Sequence, residues 1–277
     1  MRFLITGASS YVGARVYRAL REEFDVLGTY HSNRLFKEQK KLDLSNSSEI
    51  KAIISKEKPE VIVHIAGLPL GQCAENSKLA HEINVDATRR IVETANEIGA
   101  RIIYMSTIMA GKASDVYGKT KLEAEGYVAG TKAGFIVLRG ALTIGQSPNT
   151  TAEKYYNRIL RSVAEKSRLT FDNSALTQIT YLGSIPEIIS RSQENDKLWG
   201  QTIPVVADEK KTRFAIASDL LGEFGVTCEP SKGTRYIDEA YYTTEKLREL
   251  KLPAYNYRQI IKKTISEMHT WLNSRKT

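Results

Sequence analysis

At 277 residues, with 42% hydrophobic and 26% charged side chains, the chain has the length and composition of a globular protein with a sizeable core. Its net charge of +8 and pI near 9.3 suit a phosphorylated small-molecule ligand; the cations are scattered, and no arginine-rich arm or aromatic-interleaved basic stretch supports nucleic acid. No apolar run could span a bilayer, Phe3-Leu4-Ile5 is too short for a signal-peptide core, and the two cysteines, Cys73 and Cys228, suit a reducing compartment and cannot build a metal site, so the expectation is a cytoplasmic protein with neither membrane nor metal.

The first fifteen residues organise the rest of the chain. Phe3-Leu4-Ile5 reads as a strand ending at Thr6-Gly7, and from Tyr11 the spacing turns helical, with Val12, Val16, Ala19 and Leu20 on one side. A strand, a small-residue turn and a helix start together make an anion site, because glycine lets the backbone approach a phosphate and the free N–H groups of the helix point at it. The glycine spacing is Gly7-x5-Gly13, with Ser10 where dinucleotide-binding loops often carry glycine; alone, this segment can also be read as an ordinary β-α turn.

Strands and helices then alternate. Asp25–Tyr30 reads as the second strand, followed by a polar stretch from His31 to Lys41, Leu42-Asp-Leu44, and a helix opened by Ser45 or Asn46 and running to about Lys56. Pro59–Ala66 is a continuous apolar run of the kind buried in parallel sheets. A loop with Gly67, Pro69 and Gly71 leads to a long helix from about Ser77 to Ile98, stopped by Gly99. Arg101–Ser106 is the fourth strand, Val116 to about Ala129 a helix, and Phe135–Arg139 the fifth strand. This alternation predicts an α/β fold with a doubly wound parallel sheet and right-handed crossovers over residues 1–150. Beyond Gly145 the rhythm loosens into a helix at 151–166, short strands near 168–172 and 176–182, a helix at 184–193, a strand near 202–206 and helices at 213–224, 243–250 and 256–273. Residues 151–277 are expected to form a smaller C-terminal α/β lobe packed on the end of the sheet.

Tyr117-Gly-Lys-Thr-Lys121 carries the sharpest chemical signal. Two residues four apart share a helix face, and an ammonium beside a phenol lowers a pKa of about 10, so that tyrosine can exchange a proton with an alkoxide near neutral pH. The expectation is therefore a depressed Tyr117 pKa. Ser106-Thr107 stands at the carboxyl end of the fourth strand, where a hydroxyl can hold a substrate carbonyl oxygen. Tyr-x-x-x-Lys also occurs as an ordinary pair on a solvated helix face. His64 reads as a satisfied buried histidine and Cys73 as a packed thiol. Lys154, Arg158, Arg161 and Arg168 could reach a substrate diphosphate, although a solvated basic helix face is the better reading for most of them. From Gly28 to Lys37 there is no carboxylate of the kind that accepts hydrogen bonds from the ribose of NAD, whereas Arg34 offers a guanidinium fork to a 2′-phosphate.

Taken together, Thr6-Gly7-x5-Gly13, Leu42-Asp43-Leu44, His64-x-Ala66-Gly67, Asn84-Val85, Ser106-Thr107, Tyr117-Gly-Lys-Thr-Lys121 and Leu138-Arg139 resemble, in order, the extended short-chain dehydrogenase/reductase family. Cys73-Ala-Glu75-Asn76 and the compact C-terminal portion look most like its dTDP-4-dehydrorhamnose reductase branch. The resemblance implies a Rossmann fold and a ketone reductase that uses NADP, or NAD, and acts on a small-molecule substrate, a phosphorylated or nucleotide-linked sugar. Thr107, Tyr117 and Lys121 would be catalytic, with Tyr117 protonating the ketone oxygen as hydride arrives from the nicotinamide. Gly7, Ser9, Ser10, Tyr11 and Val12 would hold the dinucleotide together with His31, Ser32, Asn33 and Arg34. Asp43 and Leu44 would meet the adenine, Ala66 and Gly67 the cofactor backbone, and Lys121 the nicotinamide ribose. A homodimer is compatible with the branch.

Three features depart from the pattern: Ser10 replaces a glycine, the 108–116 loop is short, and no Arg-Thr/Pro-type substrate segment is evident at 172–181. The shortened loop removes cover from the substrate, and the 151–182 segment is expected to supply part of the missing wall. A non-catalytic, dinucleotide-binding regulatory subunit and a sugar-nucleotide epimerase are the alternatives.

Overall fold

The computed structural model describes residues 1–233 and 239–275. Its centre is a parallel sheet. Strands β1 (Arg2–Thr6), β2 (Asp25–Tyr30), β3 (Lys40–Lys41), β4 (Val61–His64), β5 (Arg101–Thr107) and β6 (Phe135–Gly140) are joined by Gln201–Val205. Across the sheet the order is Gln201–Val205, β6, β5, β4, β1, β2, β3. Chain order therefore reverses between β1 and β4, which makes their carboxyl ends the place where such sheets bind ligands. The short β3 has no counterpart in the sequence reading. Gln201–Val205 comes from the C-terminal portion yet pairs with β6, Ile203 opposite Leu138.

The strands lie between two apolar layers, as their period of two dictates. On β1, Phe3 and Ile5 join one core with Val16 and Tyr17, while Leu4 joins the other with Ile62, Ile91 and Ile102. Helix α1 (Tyr11–Leu20) covers the first face, with Ile185 and Ile188 of the Ser184–Arg191 helix in the same core. Helices α2 (Ser47–Glu57), α5 (Ala87–Ile98) and α6 (Val116–Val128) bury Ile54, Ile91 and Ala124 on the second. At this depth each Leu or Ile contributes about 1.5–3 kcal/mol, so truncating Ile62 should cost about 2–5 kcal/mol.

The helix expected from Ser77 to Ile98 is built of α4 (Ser77–His81), a π turn at Glu82–Asp86 and α5. The extra residue per turn falls at Asn84, whose carbonyl accepts a bond from Thr88 Oγ1 at 2.7 Å. A short helix, α3 (Leu70–Glu75), occupies what reads in sequence as loop. Smaller pairings organise the remainder: Leu142–Ile144 runs parallel to Ile179–Tyr181, and Leu176–Thr177 antiparallel to Lys211–Thr212. No described helix is long and apolar enough to cross a membrane, and the described residues contain no group of three His, Cys, Asp or Glu able to hold a metal.

Candidate active site

The turn after β1 is fixed by close backbone packing. Gly7 sits at φ +69°, and a Cβ there would lie 2.9 Å from the Ala66 backbone; one on Gly13 would lie 2.1 Å from the Gly7 carbonyl oxygen. Only glycine fits both places. Ser10, at the position where a third glycine is common, caps α1: its Oγ accepts from the Gly13 N–H at 3.0 Å. Ser9 is pinned from two sides, donating to Gln39 Oε1 at 2.7 Å and receiving Asn149 Nδ2 on its carbonyl at 2.7 Å.

This turn forms one wall of a cavity of about 670 Å³. Gly7, Ser9 and Ser10 line it beneath the end of β2, where His31, Ser32 and Asn33 face it; Asp43 and Leu44 close one side, Ala66 and Gly67 the other. Asp43 accepts from the Ser45 N–H and hydroxyl at 2.9 and 2.8 Å, which hold its pKa below the usual carboxylate range. Arg34 is not among the lining residues; it is exposed, and its Nε donates to the Phe36 carbonyl at 3.3 Å. Tyr11 turns away toward the C-terminal portion, donating to the Gly145 carbonyl at 2.6 Å, and it and Val12 line the neighbouring cavity. The cradle's chemistry fits a nicotinamide dinucleotide: small residues at a helix start for phosphates, and a second-strand end free of carboxylate.

His64 ties the cradle together from beneath. Thr88 Oγ1, already donating to Asn84, accepts from His64 Nε2 at 3.0 Å, and Nδ1 accepts from Thr6 Oγ1 at 2.7 Å. Thr6 Oγ1 in turn takes the Ile65 and Ala66 N–H groups at 3.2 and 3.3 Å. These bonds assign the neutral Nε2–H tautomer. Burial, followed by the Lys121 charge, lowers the His64 pKa to about 3. The histidine is a satisfied core residue, as its apolar strand suggests. Cys73 is likewise a packed thiol, its Sγ donating to the Leu68 carbonyl and its pKa raised by burial.

A second cavity of about 470 Å³ adjoins the first, sharing Ser10, Gly67 and Lys154 with it. Thr107, Tyr117 and Lys121 all line it. Residues 108–116 close in a short turn: Ile108–Gly111 is a 3₁₀ helix capped by Thr107 Oγ1, and Ala113 turns the chain back at φ +49°. Asp115 then caps α6 through the Gly118 N–H at 2.8 Å. Thr107 stays on its strand end and Tyr117 on its helix. Ser106 is occupied elsewhere, donating to Glu125 Oε1 at 2.5 Å, and Arg139 grips the same carboxylate through Nε at 2.9 Å and Nη2 at 2.6 Å. Ser106 and Thr107 both line the cleft, but Thr107 Oγ1 accepts the Met109 N–H at 3.2 Å and does not spend its own proton on Glu125.

The electrostatics differ from the sequence expectation. The Tyr117 pKa is raised to about 12, not lowered, by burial and then by Cys73 and Asp115. Lys121 donates to the Met105 carbonyl at 2.7 Å and lies 4.0 Å above the Tyr104 ring. Burial lowers its own pKa to about 7, with Glu125 and Cys73 opposing. Sharing a helix face brought the two groups to one cavity, but a backbone carbonyl took the ammonium and desolvation governs the phenol.

Sequence reasoning gave Asn84 no role and missed Arg213 and Glu239 altogether. Asn84, buried in the π turn, accepts the Leu68 N–H at 2.7 Å and donates to Thr120 Oγ1 at 3.2 Å, fixing the loop after Gly67. Lys154, Tyr155, Arg213 and Glu239 complete the cavity wall opposite α6. Lys154 and Tyr155 come from the expected 151–182 stretch; Arg213 and Glu239 do not. Burial raises the Glu239 pKa, opposed by a 2.7 Å bond from Thr177 Oγ1 and by Arg213 and Lys210. Of the other cations, Arg161 pairs with Glu153, Arg168 with Glu229, and Arg158 stacks on Phe171.

A parallel sheet with its switch point over a glycine cradle, and a Thr-Tyr-Lys set beside it, defines an extended short-chain dehydrogenase/reductase. Within that class the chain belongs to the family described as the RmlD substrate binding domain, whose model matches residues 1–269. Methionine adenosyltransferase 2 subunit beta of Xenopus laevis is 33% identical over 159 residues, 52% of this chain and 47% of that protein. The chain thus spans about half the length of the subunit beta relatives it matches. A dTDP-4-dehydrorhamnose reductase of Aggregatibacter actinomycetemcomitans is 26% identical over 210 residues, 70% of this chain and 67% of that one. The crystal structure of dTDP-4-dehydrorhamnose reductase from Bacillus anthracis in complex with NADP superposes with a TM-score of 0.80 at 18% identity, covering 97% of this chain and 98% of that one, which shows the shared fold.

Proposed function

We propose that the chain is an NADP-dependent reductase of a ketone carried by a nucleotide-linked sugar. The carrying observation is that Thr107, Tyr117 and Lys121 line one cavity, which adjoins the glycine cradle at the switch point of the sheet. In this reading residues 1–150 hold the cofactor and the catalytic set, and 151–277 complete the substrate wall with Lys154, Tyr155, Arg213 and Glu239. A bound nicotinamide would supply the hydride. Gly7 to Val12 bind the pyrophosphate, His31 to Arg34 the 2′-phosphate, and Asp43 and Leu44 the adenine. Lys121 turns from the Met105 carbonyl to the ribose. Thr107 holds the ketone oxygen, and Tyr117 delivers its proton there as negative charge develops. A phenol with a pKa of about 12 keeps that proton at neutral pH, which suits donation to an alkoxide. The test is NADPH absorbance decay with 4-keto sugar nucleotides: turnover is expected, and none with any member of the panel overturns the reading.

The matches to methionine adenosyltransferase subunit beta favour a second reading, a dinucleotide-binding subunit of another enzyme. Such a protein would bind NADPH, gaining about 2.7 kcal/mol of stability at a hundredfold excess over the dissociation constant. It would oxidise none of it and would form a stable complex with its partner.

A further inference from the structure

The short turn at 108–116 is covered by a distant segment, residues 239–244. Gly111 leaves the room for it: a Cβ there would lie 2.3 Å from the Tyr242 hydroxyl and 2.7 Å from Ala240 Cβ. The segment is clamped at three points. Arg139 Nη1 donates to the Tyr242 hydroxyl at 2.5 Å, from the same guanidinium that grips Glu125. The fully buried Gln178 side chain takes the Tyr242 N–H at 3.0 Å and donates to its carbonyl at 2.7 Å. Asp208 accepts the Thr244 N–H at 2.5 Å. Ahead of this clamp, Glu239 faces the cavity that holds Tyr117, with one oxygen taken by Thr177. A carboxylate only accepts hydrogen bonds, so at this place it welcomes a hydroxyl and repels an anion. A substrate part with no donor would leave it desolvated and unpaired.

We propose that Glu239 is the specificity-determining residue of the substrate site, accepting a hydrogen bond from a sugar hydroxyl, on a wall that takes the place of a long loop after β5. This rests on the cavity being the substrate site of the reductase reading. It is tested without turnover by titration calorimetry of dTDP-glucose, which carries no ketone, and of dTDP alone, each onto the NADPH-loaded protein. Glu239→Gln keeps an acceptor for Thr177 and replaces the second oxygen by an uncharged N–H donor. Its affinity for dTDP-glucose should fall about tenfold and that for dTDP by less than about twofold, with an unchanged melting temperature. Equal losses on both ligands, no loss on either, or a parent that binds dTDP-glucose no better than dTDP overturns the assignment. NADPH oxidation by a 4-keto sugar nucleotide separates the two claims. The expected binding selectivity without turnover overturns the reductase reading alone, and turnover with unaltered selectivity in Glu239→Gln overturns the Glu239 assignment alone.

Discussion

The two ends of the cleft are built by different means. The cofactor end is set by backbone packing at the ends of neighbouring strands: Gly7 and Gly13 lie in one turn, Ser10 caps the helix beyond it, and His64 locks adjacent strands through Thr6. The substrate end is assembled from side-chain contacts between separate loops and helix ends. Tyr155 reaches the Arg213 carbonyl, Thr177 reaches Glu239, and Gln178 brackets Tyr242. Backbone packing at sheet ends has few solutions, so the first end holds its atoms rigidly for chemistry. Side-chain contacts between loops have many solutions, so the second can change its ligand without disturbing the first.

The largest effect that would break this contrast concerns acid. The folded-state pKa of His64 is about 3, against an ordinary value of 6.5, so the unfolded chain takes up the proton first. Stability is therefore fully present above about pH 6.5 and is lost as pH falls toward 3, by a total on the order of 5 kcal/mol. Because Thr6 and Ala66 hang from this ring, NADPH affinity of the folded protein should hold through this range and fall only as pH nears 3, where the ring itself takes the proton. Urea unfolding at pH 7, 5.5 and 4.5 measures the slope, and His64→Gln should flatten it. Equal slopes in parent and variant would show that the cradle does not depend on this ring.

Next in size, Tyr117→Phe separates chemistry from binding. The ring and its packing stay while the proton donor goes, so turnover should fall about a thousandfold. NADPH affinity should stay within about twofold, since Tyr117 lines the second cavity and not the cradle. Retained turnover in Tyr117→Phe would move the proton donor elsewhere; lost NADPH binding would mean that the two ends are one structural unit.

The same contrast separates the features legible in the sequence from those that are not. Strand–turn–helix order, Gly7 and Gly13, and the Tyr117–Lys121 spacing are local patterns, and each falls in the expected element. Local spacing could not show that the Met105 carbonyl captures Lys121, because that contact crosses from α6 to β5, nor that desolvation rather than an ammonium sets the phenol. The π turn at Asn84 depends on partners in the loop after Gly67. Arg213 and Glu239 carried no signal in sequence: a charged side chain is ordinary on a surface, and it takes tertiary contacts with Gly111, Arg139, Thr177, Gln178 and Asp208 to make a wall of residues 239–244.

The smallest effect sharpens the edge of the cofactor end. His31, Ser32 and Asn33 line the cradle, and Arg34 stands one residue beyond it, exposed and bonded to the Phe36 carbonyl. With no carboxylate between Gly28 and Lys37, the end of β2 offers the ribose no acceptor that would repel a 2′-phosphate. Arg34 can reach that phosphate by giving up its bond to Phe36, but it must order a long, solvated side chain to do so. An exposed charge-assisted contact of this kind contributes about 1 kcal/mol, so Arg34→Ala should weaken NADPH binding about fivefold and leave NADH unchanged. Fluorescence titration of both cofactors reads the difference. Equal affinities of the parent for NADPH and NADH overturn the NADP assignment. A parent preference that survives intact in Arg34→Ala transfers the phosphate to His31, Ser32 and Asn33, making even cofactor choice a property of the rigid end.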